Sequence, residues 1–155
     1  MTHALDDTDK IILNLLQDDA TLPLKSVAER AGISIATAQR RISTLIDQQI
    51  IAKQVAIIDP TKVGYTLTVL VMIKMATSSV SMQQRFERVM ASEPQVMMCY
   101  EISGDYDFVL MVNSQNMQDY HAFTRRLLTS ENNVNHFNSQ FVMNFIKSGI
   151  KITLK

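Results

Sequence analysis

The sequence predicts an α+β protein in two parts, a helical N-terminal part over residues 1–59 and a part of alternating strands and helices over residues 60–155. Three observations carry this. Apolar residues recur at helical spacing as far as "IIDPTKVGY". Beyond it, short runs rich in β-branched and aromatic residues alternate with helical patterns. Between the two, Asp59-Pro60 and Gly64 supply the punctuation of a linker.

In the first part the apolar spacing predicts three short helices. Asp6-Asp7 caps the first and gives it an acidic opening turn, which suits the positive end of the helix dipole. Ile12, Leu15 and Leu16 form its inner face. The second begins near Pro23, runs through Leu24, Val27, Ala28 and Ala31, and stops at Gly32. The third follows with Ser34 as N-cap and Ile35, Ala38, Ile42 and Leu45 inward, spaced i, i+3, i+7, i+10. The stretch "IIAKQVAIID" then reads as a short hairpin, or wing, with Lys53-Gln54 near its tip.

The second part reads strand–helix–strand–strand–helix–strand. Its strands are Thr66 to Ala76, Val96 to Ser103, Tyr106 to Asn113 and His136 to Lys147. One helix spans Ser81 to Ser92 with Met82, Phe86, Val89 and Met90 inward. The other spans Asn116 to Thr129 with Met117, Tyr120, Leu127 and Leu128 on one side. In the last strand Phe137, Phe141, Met143 and Phe145 alternate onto one face. This order is the split βαβ, ferredoxin-like βαββαβ arrangement. Its helices cover one face of the sheet. Yet Met98 and Tyr100 place apolar groups at one parity of the second strand, and Met97 and Cys99 at the other. A second sheet, from another subunit, is the expected cover.

Composition narrows the function. An apolar content of 46% belongs to a folded chain. The single cysteine, Cys99, excludes an internal disulfide framework, and in its apolar run it reads as a buried reduced thiol, which fits a cytoplasmic setting. "MTHALDDTDK" is acidic and lacks the apolar core of a signal peptide, and no apolar run is long enough to span a bilayer, so no membrane partner is expected. A net charge of zero counts against a highly charged partner, but its distribution points the other way. Residues 1–24 carry one Lys and five Asp, a balance of −4. Residues 25–53 carry Lys25, Arg30, Arg40, Arg41 and Lys53 against Glu29 and Asp47, a balance of +3.

That basic stretch contains the pattern of a helix-turn-helix, "LPLKSVAERAGISIATAQRRISTLIDQQII". Two short helices meet at Gly32-Ile33-Ser34, where glycine accepts a left-handed backbone. The third helix is apolar on one face and small, polar and positive on the other: Ala36, Thr37, Arg40, Ser43 and Thr44 form the outer arc, with Gln39 and Arg41 on its shoulders. Small side chains at its N-terminal end fit a major groove, and Gln39 and Arg40 can read base edges. The DNA-binding set is therefore Lys25, Ser34, Ala36, Thr37, Gln39, Arg40, Arg41, Thr44 and Lys53, and Lys25, Arg30 and Lys53 can contact phosphates. Arg41 borders the buried face, where Asp47 or Glu29 is a candidate ion-pair partner.

The stretch "EISGDYDFVL" reads as strand, turn, strand, and its turn holds two carboxylates around an aromatic ring. On the residues alone, this is a β-turn whose Asp caps its own backbone.

A winged helix-turn-helix followed by a ferredoxin-like domain carrying "SGDYDF" resembles the Lrp/AsnC, or feast/famine, transcriptional regulators. The resemblance runs from "DDTDKIILNLLQDDA" through "LKSVAERAGIS", "RRISTLIDQQII" and "SGDYDFVLMV" to "FVMNFIK". It implies a winged helix-turn-helix joined to a RAM-type sensing domain, dimers assembling further to octamers, double-stranded DNA as partner, and an amino-acid effector with no cofactor. By position it implies that Ser103, Gly104, Asp105, Tyr106, Asp107 and Asn135 line an effector pocket between subunits. A carboxylate there can receive the ligand ammonium, Gly104 opens the backbone to its carboxylate, and Tyr106 can wall its side chain. One of Asp105 and Asp107 can bind ligand while the other shapes the turn. There are departures from the family: Ile35 stands where the family often has Pro, and "ATAQRR" differs from its commoner pattern, so no operator sequence is implied. Arg41 matches the family's recurrent arginine.

Other chemistry is thin. His3, His121 and His136 are scattered without ligand spacing, no triad or phosphate loop stands out, and ten methionines read as core and interface filler. The rivals to a ligand-responsive, nucleoid-associated regulator are an effector-independent DNA-architectural protein and a small ferredoxin-like enzyme.

Overall fold

The computed structural model describes residues 4–149 and 151–155, so His3 lies outside the described residues. The chain forms two compact units, one comprising the chain up to Ile57 together with Lys147–Lys155, the other Ile58–Ile146.

The first unit is built on three helices, α1 (Asp7–Asp18), α2 (Leu24–Ala31) and α3 (Ile35–Asp47). α1 starts in a capping box: Asp6 Oδ1 accepts from the Asp9 N–H at 2.8 Å, and the Asp6 N–H donates to Asp9 Oδ2. α2 ends at Gly32, whose φ of 67° allows Ile33 N–H to reach back to the Ala28 carbonyl at 3.0 Å and Ile33 to pack into the core. That core is Ile12, Leu13, Val27 and Leu45, with Leu15, Leu16, Ile42 and the distant Leu154 packed around it. Ile35 was expected inside but is 49% exposed, because at the first helical position it lies before the turn that α3 packs inward. The expected wing is also absent: residues 52–59 form no strand, and Val55, Ile57 and Ile58 are exposed. A hairpin needs a second strand, and this stretch pairs with no strand among the described residues.

The second unit opens with a 3₁₀ turn, Pro60–Val63, capped by Asp59 and closed at Gly64 with φ 90°. It contains β1 (Leu67–Met75), α4 (Val80–Ser92), β2 (Val96–Glu101), β3 (Phe108–Ser114), α5 (Met117–Leu127) and β4 (Val134–Phe141). The four strands form one antiparallel sheet in the order β2-β3-β1-β4, the ferredoxin-like order. Val69, Val71, Ile73, Phe108, Leu110 and Val112 share a buried core with Phe86, Met90, Tyr120, Phe123 and Leu127 of the helices. Phe137 and Phe141 lie opposite Ile73 and Val69, on the helix side, and the Phe141 ring meets Tyr120 edge-on at 5.6 Å. Strand alternation puts Leu70, Met72, Met98, Tyr100, Val109 and Met111 on the other face, and none of them is buried.

Three details depart from the sequence reading. β4 ends at Phe141 rather than Lys147, because its neighbour β1 begins at Leu67 and the last bond, from Val142 N–H, goes to the Thr68 carbonyl. Met143 and Phe145 therefore lie beyond the strand. On α5, Met117 is 54% exposed, whereas Phe123 is buried and fills the inner face. Cys99 is half-buried against the core, and burial raises its thiol pKa.

Candidate DNA-reading and effector sites

Helix α3, the candidate reading helix, is held from both ends. Ser34 Oγ accepts from the Thr37 N–H at 3.1 Å and lies 2.8 Å from Thr37 Oγ1, so both hydroxyls serve the cap. At the far end Thr44 Oγ1 donates to the Arg40 carbonyl. Ala38 and Leu45 are buried, which turns the opposite face outward. Ala36, Gln39, Arg40 and Ser43 are exposed on it, and Thr37 and Thr44 are half-exposed at its edge. Lys25 is exposed on α2, 4.0 Å from Glu29, and Lys53 is exposed in the extended segment after α3.

Arg41 is different. Its side chain turns to α1, where one terminal nitrogen donates at 2.8 Å both to Asp6 Oδ2 and to Asp9 Oδ1. The partners expected from the sequence, Asp47 and Glu29, are not the ones used. Asp9 is 2% exposed, so this is an ion pair sunk into the helical unit. The bonds of Arg41 to the carboxylates of Asp9 and then Asp6 raise its pKa, and the Asp9 N–H followed by Arg41 lowers that of Asp6. Arg41 thus ties α3 to α1, and with Arg40 and Thr44 it lines a shallow depression.

At the other candidate site, the turn between β2 and β3 closes with Ile102 N–H on the Asp107 carbonyl at 2.9 Å. Gly104 sits at φ 120°, a conformation that disfavours any side chain, with open space where one would be. The two acids separate cleanly. Asp107 N–H donates to the Ile73 carbonyl, its Oδ2 accepts from Met75 N–H at 2.7 Å, and its Oδ1 lies 3.3 Å from Lys74 Nζ. Met75 lies beyond the register of β3, whose first residue pairs with Ile73, so the side chain of Asp107 supplies the acceptor that a strand would. Asp105 is exposed and has no hydrogen bond or ion pair with any described residue. Ser103 is exposed beside it.

Sheet pairing brings further groups to this end. His136 pairs in register with Lys74, and its ring meets Tyr106 edge-on at 5.9 Å. Asn135, at the β1–β4 irregularity, is exposed with its amide 3.4 Å from His136 Nδ1. Tyr106 and Asn135 thus lie beside His136, and Asp107 beside Lys74, at one end of the sheet. Lys74 and His136 join them unpredicted, since only the strand register shows that they are neighbours. No group of three or more His, Cys, Asp or Glu suited to a metal occurs among the described residues.

A helix-turn-helix joined to a separate four-stranded sheet domain is the layout of a two-domain DNA-binding regulator. Residues 5–52 match the family model described as winged helix-turn-helix DNA-binding, and residues 68–152 that of the Lrp/AsnC ligand binding domain. The chain is 48% identical over 154 residues to an uncharacterized HTH-type transcriptional regulator of Haemophilus influenzae, covering 99% of this chain and 92% of that one. It is 34% identical to the DNA-binding transcriptional activator DecR of Escherichia coli K12, covering 92% and 94%. Among solved structures it resembles an AsnC family regulator from Agrobacterium tumefaciens (TM-score 0.89, 33% identity, 96% of each chain). It also resembles a transcriptional regulator from Neisseria meningitidis in complex with L-Met (TM-score 0.91, 26% identity, 96% of each chain). The protein belongs to the Lrp/AsnC family of transcriptional regulators, with a helix-turn-helix and a ligand-binding domain, and it is not an enzyme. No helix among the described residues is long and apolar enough to cross a membrane.

Proposed function

We propose that the protein is a sequence-specific regulator that reads its operator with α3 and is tuned by an amino acid held at the β2–β3 turn. The observation that carries this reading is the division between the two acids. Asp107 is committed to β1, while Asp105 presents an unengaged carboxylate beside a positive-φ glycine. Asp105 receives the ligand ammonium in a charge-assisted bond. Ser103, Gly104 and Asn135 offer polar contacts to the other end, and Tyr106 with His136 walls the side chain. Asp107 acts in the pocket by holding its floor. The L-Met complex of the Neisseria relative supports the ligand class.

On the DNA, Gln39 and Arg40 read bases from the exposed arc, with Ala36 and Thr37 admitting the helix and Lys25 and Lys53 on phosphates. Ser34, Thr44 and Arg41 hold the helix in shape, and Arg41 acts through its clamp to α1. The uncovered sheet face of Leu70, Met72, Met98, Tyr100, Val109 and Met111 seats a second copy, giving dimers that assemble toward octamers. The exposed Val55, Ile57 and Ile58 of the linker add apolar surface for that assembly. The regulator works in the cytoplasm on the nucleoid and calls on no cofactor.

The test is a thermal-shift screen of the twenty amino acids, followed by operator binding with and without each hit, since a ligand selective for the folded state must stabilise it. One hit that raises the melting temperature and changes operator affinity is expected. If no amino acid does either, the effector reading fails and a DNA-architectural role takes its place.

A further inference from the structure

The last residues of the chain lie along α1 and are held there by side-chain amides. Gln17 Oε1 accepts from the Ile152 N–H at 2.8 Å, and Gln17 Nε2 donates to the Ile152 carbonyl at 2.9 Å. Asn14 repeats this on Leu154, accepting from its N–H at 3.3 Å and donating to its carbonyl at 3.0 Å. Lys151 Nζ bonds Asp18 Oδ1, and Leu154 packs on the core of Ile12, Leu13, Val27 and Leu45.

The spacing makes this a built site. Asn14 and Gln17 stand three residues apart on one helix face, roughly 5 Å along the axis. Residues 152 and 154 of an extended chain are roughly 6.6 Å apart. A primary amide carries the same donor–acceptor pair as a peptide unit, so each of the two side chains receives the tail as a neighbouring strand would. Sequence separations of 133 to 140 residues hide the match from any local pattern.

We propose that this face of α1 is a docking site for the chain's own C-terminal segment, and that the seated tail is a second tether on the DNA-reading domain. The first connection is the segment after α3, through residues 52–59. The second runs from the end of β4 through residues 142–149, which reach at most about 28 Å when fully extended. Through Asp9 and Arg41, α1 is ion-paired to the reading helix, so a pull on the tail bears on α3. A domain joined at one point pivots freely, and one joined at two does not.

The full-length oligomer is the material for the test, and neither DNA nor effector is needed. Hydrogen exchange of the Ile152 and Leu154 amides should be slow in the native protein and at least tenfold faster in Asn14→Ala/Gln17→Ala, with sheet amides unchanged. Carbodiimide should join Lys151 Nζ to Asp18 as an amide, the reagent taking up the lost water as its urea. Oligomers reassembled from mixed ¹⁴N and ¹⁵N chains should give cross-linked peptides of uniform label only, with Lys151→Gln abolishing them. Mixed-label peptides would overturn the proposal in favour of a tail exchanged between copies. Native exchange as fast as in the double variant would overturn it outright.

Discussion

Replacing Asp107 with alanine should destabilise the sheet domain rather than merely blunt its response to ligand. The substitution removes the acceptor of Met75 N–H at 2.7 Å and the partner of Lys74 at 3.3 Å. A hydrogen bond to a charged group is worth about 1.5–3 kcal/mol. The Lys74 pair adds little, at most about 1 kcal/mol, because both side chains are about one-third exposed. The sum is about 1.5–4 kcal/mol, and in a domain of this size each kcal/mol moves the midpoint by about 4–8 °C, so the domain should melt roughly 6–32 °C lower. Asp107→Asn keeps an acceptor and loses the charge, and should fall about half as far. Asp105→Ala should leave the melting temperature within about 2–4 °C, in keeping with the roughly 0.5 kcal/mol bound for a surface change that breaks no contact. Circular dichroism melts of the three variants decide the matter. If Asp107→Ala melts with the native protein, its carboxylate is not holding β1, and the division of labour between the acids is wrong.

Three further outcomes follow from the same geometry. Arg41→Ala should cost the helical unit about 2–3 kcal/mol in urea denaturation, at or below the range for breaking a buried pair because Arg41 is partly exposed. Arg40→Ala should leave that denaturation curve unchanged and lose about 1–3 kcal/mol of operator discrimination, roughly five- to 150-fold, in competition binding. Arg126, bonded to Glu93 at 2.8 Å, holds the Glu93 carboxyl below its ordinary value of 4.5. The stability from this pair is therefore complete above that value and lost as pH falls through the depressed one. Urea midpoints measured from about pH 7 down to about pH 3 should fall less steeply at the acid end in Glu93→Gln.

The sequence by itself determined the elements and their order. Helical spacing, the Asp6 and Ser34 caps and the Gly32 stop placed the starts of α1 and α3 and the end of α2, and alternation with turn residues placed the sheet strands in order, the last of them too long at its C-terminal end. These are short-range effects, decided within a turn of helix or a few strand residues. Only the tertiary structure decided what each charge does. Arg41 chose Asp6 and Asp9, 32 to 35 residues upstream, over nearer acids. Asp107 became a strand clamp because β1 outruns β3. The expected hairpin failed for want of a partner strand, and the C-terminal tail found Asn14 and Gln17 across almost the whole chain. Backbone periodicity is written locally. The partner of a carboxylate or an amide depends on which distant atoms folding brings within about 3 Å, and no local pattern encodes that.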